Sequence, residues 1–392
     1  MKEIEIIEAF KDKFETSPEL NIKAPGRINL IGEHTDYNMG FVLPAAVNKA
    51  IYFSLSSRSD NQVNLYAVDL NEYHSFRINT LEKSDKSWAN FLIGVMNELV
   101  SGGAHITHGF NLAFGGDVPL GAGMSSSAAV ESGMGYAMNE LFDLNLDRLA
   151  LAKVAQMAEH NFAGVRCGIM DMYASLFGKE NKLIKLDCRA LTHEYLDFEF
   201  ENVAIVLFNT GVKHNLADTE YNKRREECEA GVAVLQSHYS GIESLRDVSL
   251  AQLEAHKNEM SGTVYKRCHF VISETDRMHR ASEALKNADL AAFGEIMYET
   301  HDGLQNEYEV SCKELDFLVD ITRENKAISG SRMMGGGFGG CTINLIHKEA
   351  VAESIESISQ AYFSEFGRLP ESYEVEITDG CSEMAILEKD KL

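Results

Sequence analysis

Pro119-Leu120-Gly121-Ala122-Gly123-Met124-Ser125-Ser126-Ser127-Ala128 is the stretch on which the reading of this chain turns. Glycines at 121 and 123 let backbone approach a ligand closely, and three hydroxyls follow where a helix should begin. Residues 109–114 ahead of the loop read as a strand, and the small residues of 125–142 behind it read as a helix. Free amides at a helix start, together with the positive end of the helix dipole, favour an anion. Serine hydroxyls there can bond phosphate oxygens or ligate magnesium. A Walker A loop would place GK[ST] after its glycines, and no lysine is present, so that class is excluded. The plainer alternative is a tight turn with Ser125 capping the helix.

Upstream, the segment 26–38 (Gly-Arg-Ile-Asn-Leu-Ile-Gly-Glu-His-Thr-Asp-Tyr-Asn) gathers Arg27, Glu33, His34 and Asp36 between glycines. It reads as a loop, either presenting acceptors to a polyhydroxylated ligand or forming a solvated turn with a local ion pair. Downstream, segment 158–171 supplies Glu159, which reads as a helix-surface acid, and Asp171. Asp171 is flanked by Ile169, Met170, Met172 and Tyr173, and burying an acid there is costly unless it is paired or functional. His160 and Cys167 read as structural. The run Gly335-Gly336-Gly337-Phe338-Gly339-Gly340 is supporting evidence only, because it opens no helix.

Around these motifs the periodicity predicts helices over 3–15, 87–100, 147–162, 220–237, 263–285, 290–301, 313–325 and 348–363. Strands are predicted over 20–24, 47–56, 62–69, 74–78, 183–186, 203–208, 341–346 and 373–377. From Leu216 to Lys326 the composition shifts to charged helical pattern. The elements cluster rather than alternate, which predicts an α+β architecture with mixed sheets. The expected boundary divides an N-terminal domain, 1–200, from a C-terminal domain, 201–392.

The 392 residues carry 36 Lys+Arg against 60 Asp+Glu, a formal charge of −24, which opposes binding to nucleic acid or an anionic membrane surface. Seven irregularly spaced cysteines, none in a CxxC pair, argue for a reducing compartment. Residues 1–14 lack the apolar stretch of a signal peptide, and no run approaches the ~18–20 apolar residues of a membrane span. A cytoplasmic protein is expected.

Taken together, the three segments resemble the galactokinase family, within the superfamily that holds homoserine, mevalonate and phosphomevalonate kinases. Residues 26–38 resemble its sugar signature, 119–128 its phosphate loop and 331–340 its third, glycine-rich motif. The resemblance implies a two-domain small-molecule kinase fold with the active site between the domains. It implies transfer of a phosphoryl group from ATP to the anomeric hydroxyl of galactose, with Mg2+ as cofactor and a place in galactose metabolism. Asp171 would be the catalytic carboxylate, with Arg27 beside it holding it in the charged form. Glu33, His34, Asp36, Tyr221 and the backbone at Gly168 would contact the sugar. Pro119, Gly121, Ala122, Gly123, Met124, Ser125, Ser126, Ser127 and Ala128 would line the nucleotide, with Trp88 and Phe91 on its adenine side. Ser127 and Glu159 match the family's magnesium ligands.

Phe91, Met39, Met124 and Met172 stand where the family commonly has tyrosine, glycine, leucine and glutamine. Kinases of N-acetylgalactosamine or galactosamine share these motifs. Non-catalytic sugar sensors lack the Ser-Ala pair present here as Ser127-Ala128. Galactose and ATP are the expected partners, with no nucleic acid and no membrane, and a monomer is expected.

Overall fold

The strand that enters the glycine loop lies inside a six-stranded mixed sheet, and the rest of the chain is arranged around it. The computed structural model describes residues 3–200, 202–212 and 217–384. Met1, Lys2, Glu201 at the expected boundary, Leu216 at the expected shift in composition, and residues 385–392 lie outside the described residues.

Helix α1 (Glu3–Phe14) seats Ile6 and Phe10 and is followed by β1 (Leu20–Asn29), β2 (Phe41–Val42), β3 (Pro44–Ser57), β4 (Gln62–Ala67) and β5 (Glu72–Arg77). Then come α2 (Ser87–Ser101), β6 (Phe110–Gly116), α3 (Ser126–Leu141), α4 (Arg148–Ala158), α5 (Met170–Phe177), β7 (Lys182–Asp187) and β8 (Thr192–Asp197). The second half contains β9 (Val203–Asn209), α6 (Ala217–Gln236), α7 (Leu250–Ala255), α8 (Gly262–Lys286), α9 (Leu290–Asn306) and α10 (Lys313–Asp320). It closes with β10 (Ile328–Met333), β11 (Cys341–His347), α11 (Val351–Phe366), β12 (Glu371–Val375) and β13 (Ser382–Glu383).

The first sheet runs β13-β1-β3-β6-β4-β5, with β4 and β6 parallel and its other pairs antiparallel. The second runs β10-β11-β9-β12, and its inner strand β9 is buried along its whole length. A third sheet, β2-β7-β8, is small. Among the described residues no helix is long and apolar enough to cross a membrane.

Two expectations about organisation change. The chain crosses the boundary at 200 twice, because β13 pairs with β1 and Ile377 bridges Val47. A short return strand thereby covers what would be an open edge of the first sheet. The largest core cluster is likewise continuous across the boundary, joining Phe53 and Met134 to Ile205, Phe293 and Ile343.

Segment 26–38 is not one loop. Arg27 and Asn29 belong to β1, and the chain leaves the sheet only after Asn29. The glycine run 335–340 is the connection of an antiparallel β10–β11 hairpin, placed against the first glycine loop.

Candidate active site

The site begins with a fault in a strand. The register of β1 against β3 shifts between Pro25 and Arg27. A Cβ on Gly26 would lie 2.8 Å from the Met124 carbonyl, so only glycine lets the loop 119–125 pack on this bulge. The Arg27 amide then donates to the Met124 carbonyl at 3.1 Å, and the Arg27 guanidinium reaches the Gly123 carbonyl. The strand bulge therefore sets the height of the loop above the sheet.

The same guanidinium grips Asp171 at the start of α5. Nε donates to Oδ1 at 2.6 Å and Nη2 to Oδ2 at 2.7 Å, while the Ser125 hydroxyl donates to Oδ2. Arg27 is 4% exposed, and a two-point charged pair in such surroundings fixes the carboxylate in orientation as well as position. Ser125 therefore does not cap α3 through its side chain. It sits at the N-cap with φ 55° and offers α3 no side-chain hydrogen bond. The first-turn amides of α3 stay available beside the cavity that Ser127 and Ala128 line.

Of the expected nucleotide residues, Ala122 and Met124 bury their side chains in the core, so only their backbone can face a ligand. Trp88, at the start of α2, donates its indole N–H to Glu72 at 2.8 Å and packs on Phe114 of β6. It lines neither of the two cavities described next, and Phe91 packs into the core.

A cavity of ≈190 Å³ brings together Arg27, Glu33, His34, Asp36, Asp171 and Tyr221. Ser127, Glu159, Gly168, Gly335 and Gly336 also border it. Glu159 is 7% exposed and opens a π-helical turn, Glu159–Ala163, rather than riding on a helix surface. That is a local irregularity of the kind found at functional sites. A second cavity of ≈590 Å³ lies between the glycine loops, with Gly121 and Gly123 on one side and the glycines at 336, 337, 339 and 340 on the other.

The loop after β1 is held from the other half of the chain. Arg332, fully buried, donates to the carbonyls of Leu30 (2.7 Å), Met333 (2.5 Å) and Asn29, and to Glu33 Oε1 at 3.1 Å from both terminal nitrogens. The Gly335 amide adds a 2.8 Å bond to the same carboxylate oxygen. Glu274 of α8 accepts from the Gly32 amide at 2.8 Å. Sequence reasoning did not single out Arg332, Glu274, Tyr37 or Tyr308. Arg332 had a readable signal in its place beside the glycine run.

Burial first, and then the charge of Asp171, pushes the Asp36 carboxyl up to about 7. Gly168 lies so close over Asp36 that a Cβ there would fall on the carboxylate, which explains a glycine at that position. Because the folded value lies above the unfolded one near 3.9, the stability from this group is fully present below about pH 4 and is lost as pH rises toward 7. Between pH 4.5 and 6.5 the unliganded protein is expected to lose about 1.4 kcal/mol per pH unit relative to Asp36→Asn. Urea titrations across that range check this, and a stability difference independent of pH would contradict it.

The donors near Ser127 suit a hard divalent cation. A hydroxyl and the Glu159 carboxylate border one cavity, and Glu131, one turn beyond Ser127 on α3, is fully buried and faces Glu159. An all-oxygen set of this kind fits magnesium rather than a soft metal. Burial and the charge of Glu159 hold the Glu131 carboxyl well above the usual range.

Comparison with known proteins converges on one family. Residues 8–57 match the galactokinase galactose-binding signature, 90–179 the GHMP kinases N terminal domain and 281–365 the GHMP kinases C terminal domain. The chain is 40% identical over 376 residues to the galactokinase of Roseiflexus sp. (strain RS-1), covering 96% of each chain. It is 40% identical over 381 residues to that of Clostridium acetobutylicum, covering 96% of this chain and 98% of the relative. The crystal structure of Lactococcus lactis galactokinase complexed with galactose superposes with a TM-score of 0.94 at 33% identity, covering 97% of this chain and 99% of that one. Methanococcus jannaschii mevalonate kinase, at 17% identity and a TM-score of 0.65, shares the fold.

Proposed function

This chain belongs to the galactokinase family, and from that premise we propose how its residues carry out ATP-dependent phosphorylation of galactose at the anomeric hydroxyl. The observation that carries the mechanism is the Arg27–Asp171–Ser125 cluster, set in one cavity with the start of α3 and the loop after β1.

The anomeric hydroxyl is more acidic than other sugar hydroxyls because the ring oxygen withdraws charge. Placed in the cavity by Glu33, His34, Asp36, Tyr221 and the Gly168 backbone, it gives its proton to Asp171 as its oxygen attacks the γ-phosphorus of ATP, whose bond to the bridging oxygen breaks to release ADP. Arg27 keeps the carboxylate pointed at that proton and offsets charge on the transferring group. The amides of Ser126, Ser127 and Ala128, at the positive end of α3, hold phosphate oxygens. Trp88 lines neither cavity, and its packing on Phe114 of the strand that enters the loop is what supports a base-side role. Ser127 and Glu159 would hold the magnesium ion, which neutralises charge on the phosphates when bound. In a loose transition state there is little covalent chemistry to assist, so positioning and charge contribute more than proton transfer.

The metal assignment has its own test. Ser127→Ala and Glu159→Gln are expected to raise the Mg2+ concentration for half-maximal rate by at least ~10-fold. Galactose affinity measured by calorimetry without nucleotide should stay near wild type. An unchanged magnesium requirement in both variants would remove these residues from the metal site.

A further inference from the structure

Behind the cavity wall a buried hydrogen-bonded chain ends on the one histidine of the site. His34 Nδ1 lies 2.8 Å from the Tyr37 hydroxyl, which is 2.7 Å from the Tyr308 hydroxyl, which is 3.3 Å from Cys228 Sγ. His34, Tyr308 and Cys228 are buried, and they come from the loop after β1, the segment after α9 and helix α6. The His34 backbone adopts φ +60°, a conformation uncommon for histidine that the surrounding contacts must hold in place. Its other ring nitrogen, Nε2, is buried and makes no hydrogen bond of normal geometry, the Gly336 carbonyl faces the ring, and His34 borders the cavity.

We infer that Cys228, Tyr308 and Tyr37 form a positioning relay that fixes the tautomer of His34 with its proton on Nε2, so that His34 meets the sugar as a hydrogen-bond donor. The argument runs from both ends of the chain. At the ring the Gly336 backbone group is a carbonyl, which only accepts, so a bare lone pair on Nε2 would set two acceptors against each other in a buried place. At the far end is a thiol, and burial pushes Cys228 up to about 11, so it keeps its proton. Cys228 S–H then donates to Tyr308, Tyr308 O–H to Tyr37 and Tyr37 O–H to Nδ1. Each hydroxyl gives one bond and takes one. The opposite direction would require the sulfur, a weak acceptor that already faces the Asn38 amide donor, to accept a second bond. The imidazole itself is neutral, since burial first and the Arg224 charge next lower it to about 3, so it carries one ring proton to be placed.

The consequence for recognition rests on the cavity being the galactose site. A donor at Nε2 demands an acceptor oxygen from the substrate, leaving that hydroxyl's own proton for a neighbouring carboxylate. Fluorine at the same carbon can still accept from His34 but cannot donate onward.

The tautomer is measurable without substrate. In 15N-histidine-labelled enzyme at pH 7, the resonance missing from His34→Gln should show a protonated Nε2 and an unprotonated, hydrogen-bonded Nδ1. Tyr37→Phe, which keeps the ring and removes the donor, should shift the Nδ1 signal. It should also raise the KM for galactose by ~10-fold with a smaller change in kcat. Tyr308→Phe should move the Nδ1 signal in the same direction by less. A proton on Nδ1, or an Nδ1 signal unmoved by Tyr37→Phe, overturns the relay. If galactose does not bind while the Nε2 tautomer is found, the relay stands and only the reading of the cavity fails.

Discussion

Asparagine in place of Asp171 is expected to lower galactose turnover by about 10²- to 10⁴-fold, the range over which a positioned proton acceptor contributes. The substitution keeps the size of the side chain but removes the charge that Arg27 grips at 2.6 and 2.7 Å and the acceptor that Ser125 uses. It also leaves the buried Arg27 without its hydrogen-bonded counter-charge, so the melting temperature should fall as well. Galactose binding, which we assign mainly to Glu33, His34, Asp36 and Tyr221, should weaken far less than turnover. Steady-state kinetics with calorimetric titration of the sugar separates the two. Turnover within ten-fold of wild type would mean that Asp171 is not the proton acceptor and that positioning alone carries the reaction.

The second large effect concerns Arg332. It is 0% exposed, and its guanidinium ties together three backbone carbonyls and Glu33, itself 2% exposed. Methionine of similar length would leave the Glu33 carboxylate buried without its cation, and breaking such a pair from one side costs about 3–5 kcal/mol. The loss should appear in urea unfolding together with weaker galactose affinity, because the loop after β1 hangs from this residue. Removing the stranded charge as well, in the Arg332→Met, Glu33→Gln double variant, should recover part of the stability, a coupling of roughly 1–3 kcal/mol. A loss below about 1 kcal/mol in the single variant would show that the loop is held by other contacts, with Glu274 the first to examine.

Most of the fold was legible because most elements carry a period. Helix α1 repeats Ile6 and Phe10 on one face, and β3 reads as a long β-branched and aromatic run. Helix α5 was not legible. Met170, Met172, Tyr173, Ala174, Ser175 and Leu176 are all buried, so its eight residues have no polar face to mark a helical period. Strand β10, Ile-Ser-Gly-Ser-Arg-Met, hid for the opposite reason. It buries Ser331, bonded to Asn344 of β11, and Arg332, which holds the loop after β1, in place of apolar side chains. The helix expected to reach Asn325 stops at Asp320, and the one expected to reach Phe162 turns into a π segment at Glu159.

The candidate site divided in the same way. Arg27, Glu33, His34, Asp36 and Asp171 stand in short segments that the sequence marks, a polar cluster between glycines and an acid in an apolar frame, and they converge on one cavity. Arg332 and Tyr308 lie about three hundred residues along the chain from the loop they hold, and only the folded chain brings them there. Glu131 was within reach of sequence reasoning, since it follows Ser127 by four residues on a helix and shares its face.

The most direct test of the account is to identify the product. Purified protein would be supplied with Mg-ATP and, in turn, galactose, N-acetylgalactosamine, galactosamine and glucose, with ADP release followed and the phosphorylated position assigned by phosphorus NMR. The account predicts one ADP per sugar phosphate, phosphate on the anomeric oxygen of galactose, and near-complete loss of product in Asp171→Asn. Phosphate on any other hydroxyl, or product formed by Asp171→Asn at the wild-type rate, would contradict it.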